Sequence, residues 1–157
     1  VLRADIKKNQ QWVDMYKVIF SKATCEHAGT PDRSGKYRVL SSATILPPGT
    51  ICTQSYLVGG AFSTQDEAEN MLTYLRTRFA RFLMLQTITS QDLSPDKFMF
   101  VPTQDFTNNG DIKWQETTQS VETDTESNTD FVDHQLYAKY SITQEEVAMI
   151  ESIIKPM

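Results

Sequence analysis

Residues 63–87 read STQDEAENMLTYLRTRFARFLMLQT, and this stretch decides the fold. Ser63 and Thr64 are each followed three residues later by an acid, Asp66 and Glu67. This is the capping-box pattern of a helix start, and it suits the positive end of a helix dipole. Apolar side chains then recur mostly at three- and four-residue spacing, namely Ala68, Leu72, Leu75, Phe79, Phe82, Leu83 and Leu85. The periodicity predicts one helix over about 64–87 with one buried face.

Segments rich in β-branched and aromatic residues flank this helix. The two longest are 12–20 (WVDMYKVIF) and 51–58 (ICTQSYLV), and shorter ones cover 37–40, 43–46 and 98–101. Prolines stop several of them, because a proline cannot donate to a central ladder. These segments predict a mainly antiparallel sheet across 12–106. Together with the long packed helix, they predict an α+β fold.

Polar sequence separates these elements and leads to a helical pair at the end of the chain. Residues 21–36 predict a long exposed loop with turns at 30–32 and 34–35. Residues 107–130 are polar and acidic, and they predict a flexible crossing anchored only by Ile112 and Trp114. Residues 131–157 predict two short helices. We expect Thr129 to cap the first and Thr143 the second, with Glu146 completing a capping box and Ile142 packing on Val147.

Length and composition limit the class of protein. With 157 residues, 39% of them hydrophobic and 22% charged, the chain can bury one core, so we expect a single domain over 1–157. The most apolar window, 79–85, contains Arg81 and is too short to cross a bilayer. Two cysteines do not suggest a disulfide framework and favour a reduced, cytoplasmic setting. The first residues, VLRAD, have neither Met nor a leader pattern, so we expect a fragment of a larger protein.

Charge is distributed unevenly along the chain. The net charge is -5, yet residues 1–60 hold eight Lys and Arg against four acids, and 114–157 hold two against nine. The basic residues around the 21–36 loop alternate with hydroxyl side chains, a composition that suits contacts with phosphates and base edges. They form the predicted DNA-binding set of Lys17, Lys22, His27, Arg33, Lys36 and Arg38. An ordinary solvated loop explains the composition equally well. Further along, we expect Arg76, Arg78 and Arg81 to face solvent or to pair with acids.

Motifs for catalysis and metal binding are weak. Cys25, His27, Cys52 and His134 lack the paired spacing of structural zinc sites, so we expect no metal site. Neither a Gly-x-Ser-x-Gly elbow nor a phosphate-binding glycine loop is present in the sequence. Pro95-Asp96 followed by Asp111-x-Lys113 resembles the PD-(D/E)xK pattern of metal-dependent nucleases, in which two carboxylates hold a cation and the lysine helps to activate water. A plain turn and loop is the alternative explanation of those residues.

Taken together, several segments resemble the C-terminal region of bacterial adenine-specific DNA methyltransferases of restriction-modification systems, including the single-chain type IIG enzymes. The segments are YKVIFSKATCEHAG (16–29), YRVLSSATILPPGTICTQSYLVGGAF (37–62), EAENMLTYLRTRFARFLM (67–84), DKFMFVPTQDF (96–106) and HQLYAKYSITQEEVAMIESIIKPM (134–157). In that family the corresponding region looks like a target-recognition domain, which lies against double-stranded DNA and reads its bases.

The resemblance implies a methyltransferase activity for the parent protein, but it does not place that activity in this chain. The parent is expected to use S-adenosylmethionine in a methylase core, which would be this chain's partner in the same polypeptide. The chain itself carries no methyl-donor loop and no Pro-Pro catalytic motif, so the family's catalytic residues have no position in it. We therefore expect a non-catalytic DNA-recognition domain. The alternatives are a metal-dependent nuclease and a protein-protein interaction module of the same system.

Overall fold

The sheet consists of three antiparallel strands, in the spatial order Ala43–Leu46, Tyr16–Ser21 and Tyr56–Phe62. The computed structural model describes residues 3–22, 29–40, 42–88, 93–115 and 127–157. Its strands are β1 (Tyr16–Ser21), β2 (Ala43–Leu46) and β3 (Tyr56–Phe62), and its α-helices are α1 (Gln65–Arg76), α2 (Arg78–Leu85), α3 (Asn128–Lys139) and α4 (Gln144–Ile153). Short 3-10 helices cover Arg3–Asp5, Gln10–Asp14 and Pro95–Phe98. The predicted α+β class is confirmed.

The central strand β1 is buried along most of its length, which explains its run of apolar residues. Val18, Ile19 and Phe20 are all buried, and the strand starts later than predicted because Gln10–Asp14 is a 3-10 helix. Strand β3 also starts late, at Tyr56, and continues through Gly59 and Gly60 instead of stopping there. The register shifts between Val18 and Ile19, so the glycines of β3 lie at a bulge.

Two predicted strands are absent from the described parts of the chain. Residues 37–40 form only an isolated parallel bridge, between Tyr37 and Ile154. Phe98 ends the 3-10 helix Pro95–Phe98 and residues 99–100 form a turn after it, while the Phe98 ring packs on Phe20 with centroids 5.2 Å apart. Their apolar side chains are used for packing and do not extend the sheet. Both strand predictions are therefore wrong in their backbone conformation.

The long helix predicted over 64–87 is broken at Thr77. The start is as predicted, because Thr64 and Glu67 form a capping box. Thr77 leaves the helical conformation with φ -59° and ψ 151°, and its hydroxyl accepts from the backbone N–H of Ala80, so it caps α2. The Asp133 carboxylate of α3 accepts the Arg78 and Phe79 N–H groups, both at 2.8 Å. The first N–H groups of α2 therefore have acceptors, which a continuous helix would not have required.

Arg81 lies in the interior, contrary to the expectation that it faces solvent. Its side chain is fully buried. The guanidinium donates to the carbonyls of Arg76 at 3.0 Å, Thr77 at 3.2 Å and Arg38 at 3.2 Å. Burial lowers the pKa of Arg81 to about 10, so it remains charged at neutral pH. Arg78 does pair with acids as expected, with Asp130 at 2.7 Å and Glu151 at 3.5 Å.

Helix α1 joins two apolar clusters. One contains β1 and β2 residues with Leu75, and the other contains α2, α3 and α4 residues with Tyr74. Ile112 and Trp114 are buried in the second cluster, which confirms them as anchors. The Thr143 capping box is confirmed, whereas Ser127 and not Thr129 caps α3. Within the described ranges, no helix is both long enough and apolar enough to cross a membrane.

We expect Asp133→Asn to lower the free energy of unfolding by about 2–4 kcal/mol, because an amide has one acceptor oxygen for two buried N–H groups and removes the charge beside Arg81. Urea denaturation at pH 7.5 would measure the loss. Asp111→Asn is the matched control, since that exposed carboxylate pairs with Lys139 at the surface. Similar losses in the two variants would contradict the role given to Asp133.

Candidate functional site

The structure buries Lys17, a member of the predicted DNA-binding set, against the backbone of the chain itself. Its side chain is buried, and its ammonium donates to the carbonyls of Trp12 at 2.9 Å and Met15 at 2.6 Å. Longer contacts reach the carbonyls of Val13 and Pro47. Burial lowers the pKa of Lys17. This lysine holds the segment before β1 in place, and its donors point at carbonyls of the chain itself.

The other predicted cations lie on or near the surface. Lys22 is half-buried at the end of β1, and Arg33 and Arg38 are exposed. Lys36 is half-buried, and its ammonium donates to the carbonyl of Glu151 in α4 at 3.1 Å. His27, the remaining member of the predicted set, lies outside the described residues. Four of the six predicted residues therefore remain candidates for contact with an external anion.

Asp32 organises the described part of the basic loop. Its carboxylate accepts from the Ser34 N–H at 2.8 Å and the Lys36 N–H at 3.2 Å, and Lys155 donates to it at 3.0 Å. Hydrogen bonds from Ser34 and Lys155 hold the pKa of Asp32 well below its usual range. The predicted turn at 34–35 is confirmed, since the Gly35 N–H donates to the Asp32 carbonyl and Gly35 has a φ of +83°. No turn is found at 31–32, so the turn predicted over 30–32 is not formed as expected. The loop is thus fastened to the C-terminal segment.

Arg38 precedes a strained turn. The Leu40 N–H donates to the Arg38 carbonyl at 2.8 Å, and between them buried Val39 has a φ of +67°. A β-branched residue rarely adopts this left-handed conformation, which costs on the order of 1–3 kcal/mol. The Arg38 carbonyl also accepts from buried Arg81, so the core fixes the backbone from which the exposed Arg38 side chain extends.

Arg38, Arg76 and Lys155 converge on one cleft of about 560 Å3, which we call the cationic cleft. The Arg76 guanidinium donates to the Ala43 carbonyl at 3.1 Å, which holds it at the wall. Polar side chains complete the lining, namely Ser42, Thr73, Ser127, Asn128 and Thr129. The last three lie at the start of α3, where the helix dipole is positive. Guanidinium, ammonium and hydroxyl groups together are suited to binding phosphate oxygens.

The sequence indicated only one of the three cations in this cleft. Arg38 belonged to the predicted set, whereas Arg76 was expected to face solvent or to pair with acids, and Lys155 was not singled out. Lys155 is one of only two lysines in the acidic segment 114–157, and it pairs with Asp32 of the distant loop. Only tertiary packing brings these residues together, so spacing along the chain carried no signal for them.

The residues of the nuclease alternative are engaged separately. Asp96 pairs with Lys97 at 3.0 Å and Asp111 with Lys139 at 2.8 Å. The backbone of Lys113 exchanges two 2.8 Å hydrogen bonds with the Gln135 side chain. Among residues with a described position, no three His, Cys, Asp or Glu side chains form a group that could hold a metal ion. The described contacts therefore provide no assembled nuclease centre.

The fold and the site together define an α+β domain with a cationic cleft at one edge. Comparison of the chain with models of protein families, with curated proteins and with solved structures finds no match. The assignment of function consequently rests on the chemistry of the chain's own residues and on the resemblance noted in its sequence.

Asp32 should make stability depend on pH in acid. Because the folded state depresses its pKa, its contribution is present above the unfolded value of about 3.9 and is lost as the pH falls below it. We expect the difference in unfolding free energy between the wild type and Asp32→Asn to be constant from about pH 7 to pH 5 and to shrink below about pH 4. Because the folded pKa lies well below the unfolded one, the loss is only partial at about pH 3. Urea denaturation from about pH 7 to about pH 2 measures it, and a difference that stays constant below about pH 4 would contradict the assignment.

Lys17→Met should lower the free energy of unfolding by about 1–3 kcal/mol, because several buried carbonyls lose their donor. DNA affinity of the folded variant should stay at the wild-type value, since the ammonium faces the chain interior. Lys8→Met, at an exposed position, is the control for stability. Thermal melts and a DNA titration would check both parts. Weakened DNA binding by a folded Lys17→Met variant would contradict this prediction and would indicate that Lys17 contacts DNA.

Proposed function

We propose that this chain binds double-stranded DNA, with the cationic cleft and the neighbouring basic loop as its phosphate-contacting surface. The observation that carries the proposal is the convergence of Arg38, Arg76 and Lys155 on one cleft in a protein whose net charge is -5. Cations that gather on one face despite an overall acidic composition are the electrostatic footprint of a nucleic-acid-binding surface.

Internal pairing accounts for part of the acidic tail. Asp130 and Glu151 pair with Arg78, and Asp133 caps α2 inside the core. None of these three carboxylates belongs to a residue that lines the cationic cleft, although Asp130 also accepts from the hydroxyl of Ser127, a cleft residue, at 2.8 Å. Asp32 acts on the cleft as well, because it pairs with Lys155, another cleft residue. Its carboxylate makes the cleft less positive than three cations alone would be.

The finer assignment rests on the sequence resemblance. On the basis of this resemblance, we propose that the chain is the target-recognition domain of an adenine-specific DNA methyltransferase of a bacterial restriction-modification system, acting in the cytoplasm. A methylase core elsewhere in the parent protein would bind S-adenosylmethionine and carry out the reaction, and this chain would not catalyse it. Phosphate contacts from the cleft position a protein on the duplex, whereas base contacts specify the sequence. Lys22 and Arg33, on the basic loop, are the candidates for extending the surface beyond the cleft.

We expect Arg38→Gln and Lys155→Gln each to weaken DNA binding about fivefold and to reduce the salt slope of binding by about one. Fluorescence anisotropy with a duplex of about 20 base pairs, between about 50 and 200 mM KCl, measures both quantities. Lys8→Gln removes an exposed charge that does not line the cleft, so its affinity and slope should match the wild type. Equal effects in the three variants would contradict the cleft as the site.

A variant that is expected to strengthen DNA binding tests the same proposal. Asp32→Asn removes the carboxylate partner of Lys155 while an asparagine still accepts from the Ser34 N–H in this turn. DNA affinity should therefore rise about two- to threefold. A protein-protein interaction module would show no salt-dependent DNA binding in any of these proteins, and that result would reject the proposal as a whole.

A further inference from the structure

A second cavity lies between β3 and the segment 95–107, and it shares no lining residue with the cationic cleft. Its volume is about 560 Å3, within the range of small-molecule sites. Its walls are mainly apolar, and they include the aromatic residues Phe20, Phe62, Tyr74, Phe98 and Phe106. Phe20 and Phe98 pack with centroids 5.2 Å apart, and Phe62 meets Phe106 edge to face at 5.7 Å. We call it the aromatic cavity.

The glycines of β3 shape one wall of the aromatic cavity. A Cβ atom at Gly60 would lie 2.7 Å from the Met71 sulfur and 2.8 Å from the Phe62 ring. A Cβ at Gly59 would lie 2.9 Å from the Phe20 ring. The absence of side chains lets these three groups rest directly against the strand. Any larger residue would push them into the cavity, so its volume depends on the pair of glycines.

The charged groups at this cavity are of one sign. They are the carboxylates of Glu67 and Asp105, and none of its described lining residues is Lys, Arg or His. The Glu67 carboxylate also accepts from the N–H and the hydroxyl of Thr64 in the α1 capping box, so it offers a ligand its charge and only its remaining acceptor sites. Asp105 is exposed, and its carboxylate accepts from the Thr107 N–H at 2.9 Å. Contacts with Thr107 lower the pKa of Asp105, which is therefore ionised at neutral pH. An anionic ligand would meet like charge at the edge of the aromatic cavity.

Gln104 and Tyr74, two further polar residues of the lining, have partners within the protein. The Gln104 amide N–H donates to the Tyr140 hydroxyl at 2.9 Å, and its oxygen accepts from Lys139 at 2.8 Å. The Tyr74 hydroxyl donates to the Pro102 carbonyl at 2.7 Å. These groups stabilise the wall, so recognition of a ligand falls mainly to the aromatic faces and the two carboxylates.

We propose that the aromatic cavity binds a small organic cation, an ammonium or guanidinium group carried on an apolar body. The faces of aromatic rings are electronegative and attract cations, and the attraction strengthens where water is excluded. Carboxylates at the rim add Coulombic attraction for the same charge, while the apolar body of the ligand is removed from water against the phenylalanine rings. This site is separate from the DNA-binding surface and would repel phosphate.

Benzyltrimethylammonium is a suitable probe, with benzyl alcohol and phenylacetate as neutral and anionic relatives of similar shape. Isothermal titration calorimetry on the full chain should show the ammonium binding at least about fivefold more tightly than the alcohol, and phenylacetate binding most weakly. Equal affinity for the ammonium and the alcohol would reduce the cavity to an apolar site and overturn the proposal. Absence of ammonium binding at millimolar concentration would also overturn it.

Three variants place the binding in this cavity. Asp105→Asn should weaken ammonium binding about threefold and leave benzyl alcohol binding unchanged. Glu145→Gln, which removes an exposed carboxylate of α4 that does not line the cavity, should change neither affinity. Thr103→Trp introduces a large side chain at an exposed lining position and should weaken both ligands. An unchanged ammonium-to-alcohol ratio in Asp105→Asn, or the same loss in Glu145→Gln, would reject the site even if Thr103→Trp failed to fold.

Discussion

The acceptance of two α2 N–H groups by the Asp133 carboxylate is the interaction on which the remaining architecture depends. A helix start buried in the core leaves its first donors without partners, and each orphaned donor costs about 1–3 kcal/mol. Asp133 supplies acceptors for Arg78 and Phe79, and the Thr77 hydroxyl supplies one for Ala80. The chain can therefore end one helix and begin another inside its own core. Burial raises the pKa of Asp133 to about 6, which still leaves it mainly ionised at neutral pH.

The break between α1 and α2 also fixes the cationic cleft. Arg81, in the first turns of α2, extends to the carbonyls at the end of α1 and to that of Arg38. Its donation to Arg38 supports the strained turn at Val39, because a buried charge with three carbonyl acceptors resists displacement. Ser127 and Asn128, at the start of α3, line the same cleft. One buried ionic arrangement thus positions several parts of the surface that we propose for DNA.

The cationic cleft and the aromatic cavity have opposite charge and different linings. Three cations and several hydroxyl groups surround the cationic cleft, whereas aromatic rings and two carboxylates surround the aromatic cavity. Helix α1 contributes to both, with Arg76 at the first and Glu67, Met71 and Tyr74 at the second. One helix can serve both sites, because each residue is rotated by about 100° from the one before it. Arg76 therefore lies on a different side of α1 from Glu67, Met71 and Tyr74. This segregation keeps a phosphate surface apart from a site suited to cations.

Local sequence determined the elements whose stabilising contacts are local. The capping boxes of α1 and α4 and the turn after Asp32 followed from short patterns, because their partners lie within a few residues. The burial of Ile112 and Trp114 followed because the sequence around them is polar and offers few other apolar side chains. Tertiary structure decided the helix break at Thr77, the burial of Lys17 and Arg81, and the grouping of Arg38, Arg76 and Lys155. In each of these the partner is remote along the chain or is a backbone carbonyl. Amino-acid type and periodicity report the cost of burying a charge, but only the folded chain supplies the acceptors that offset it.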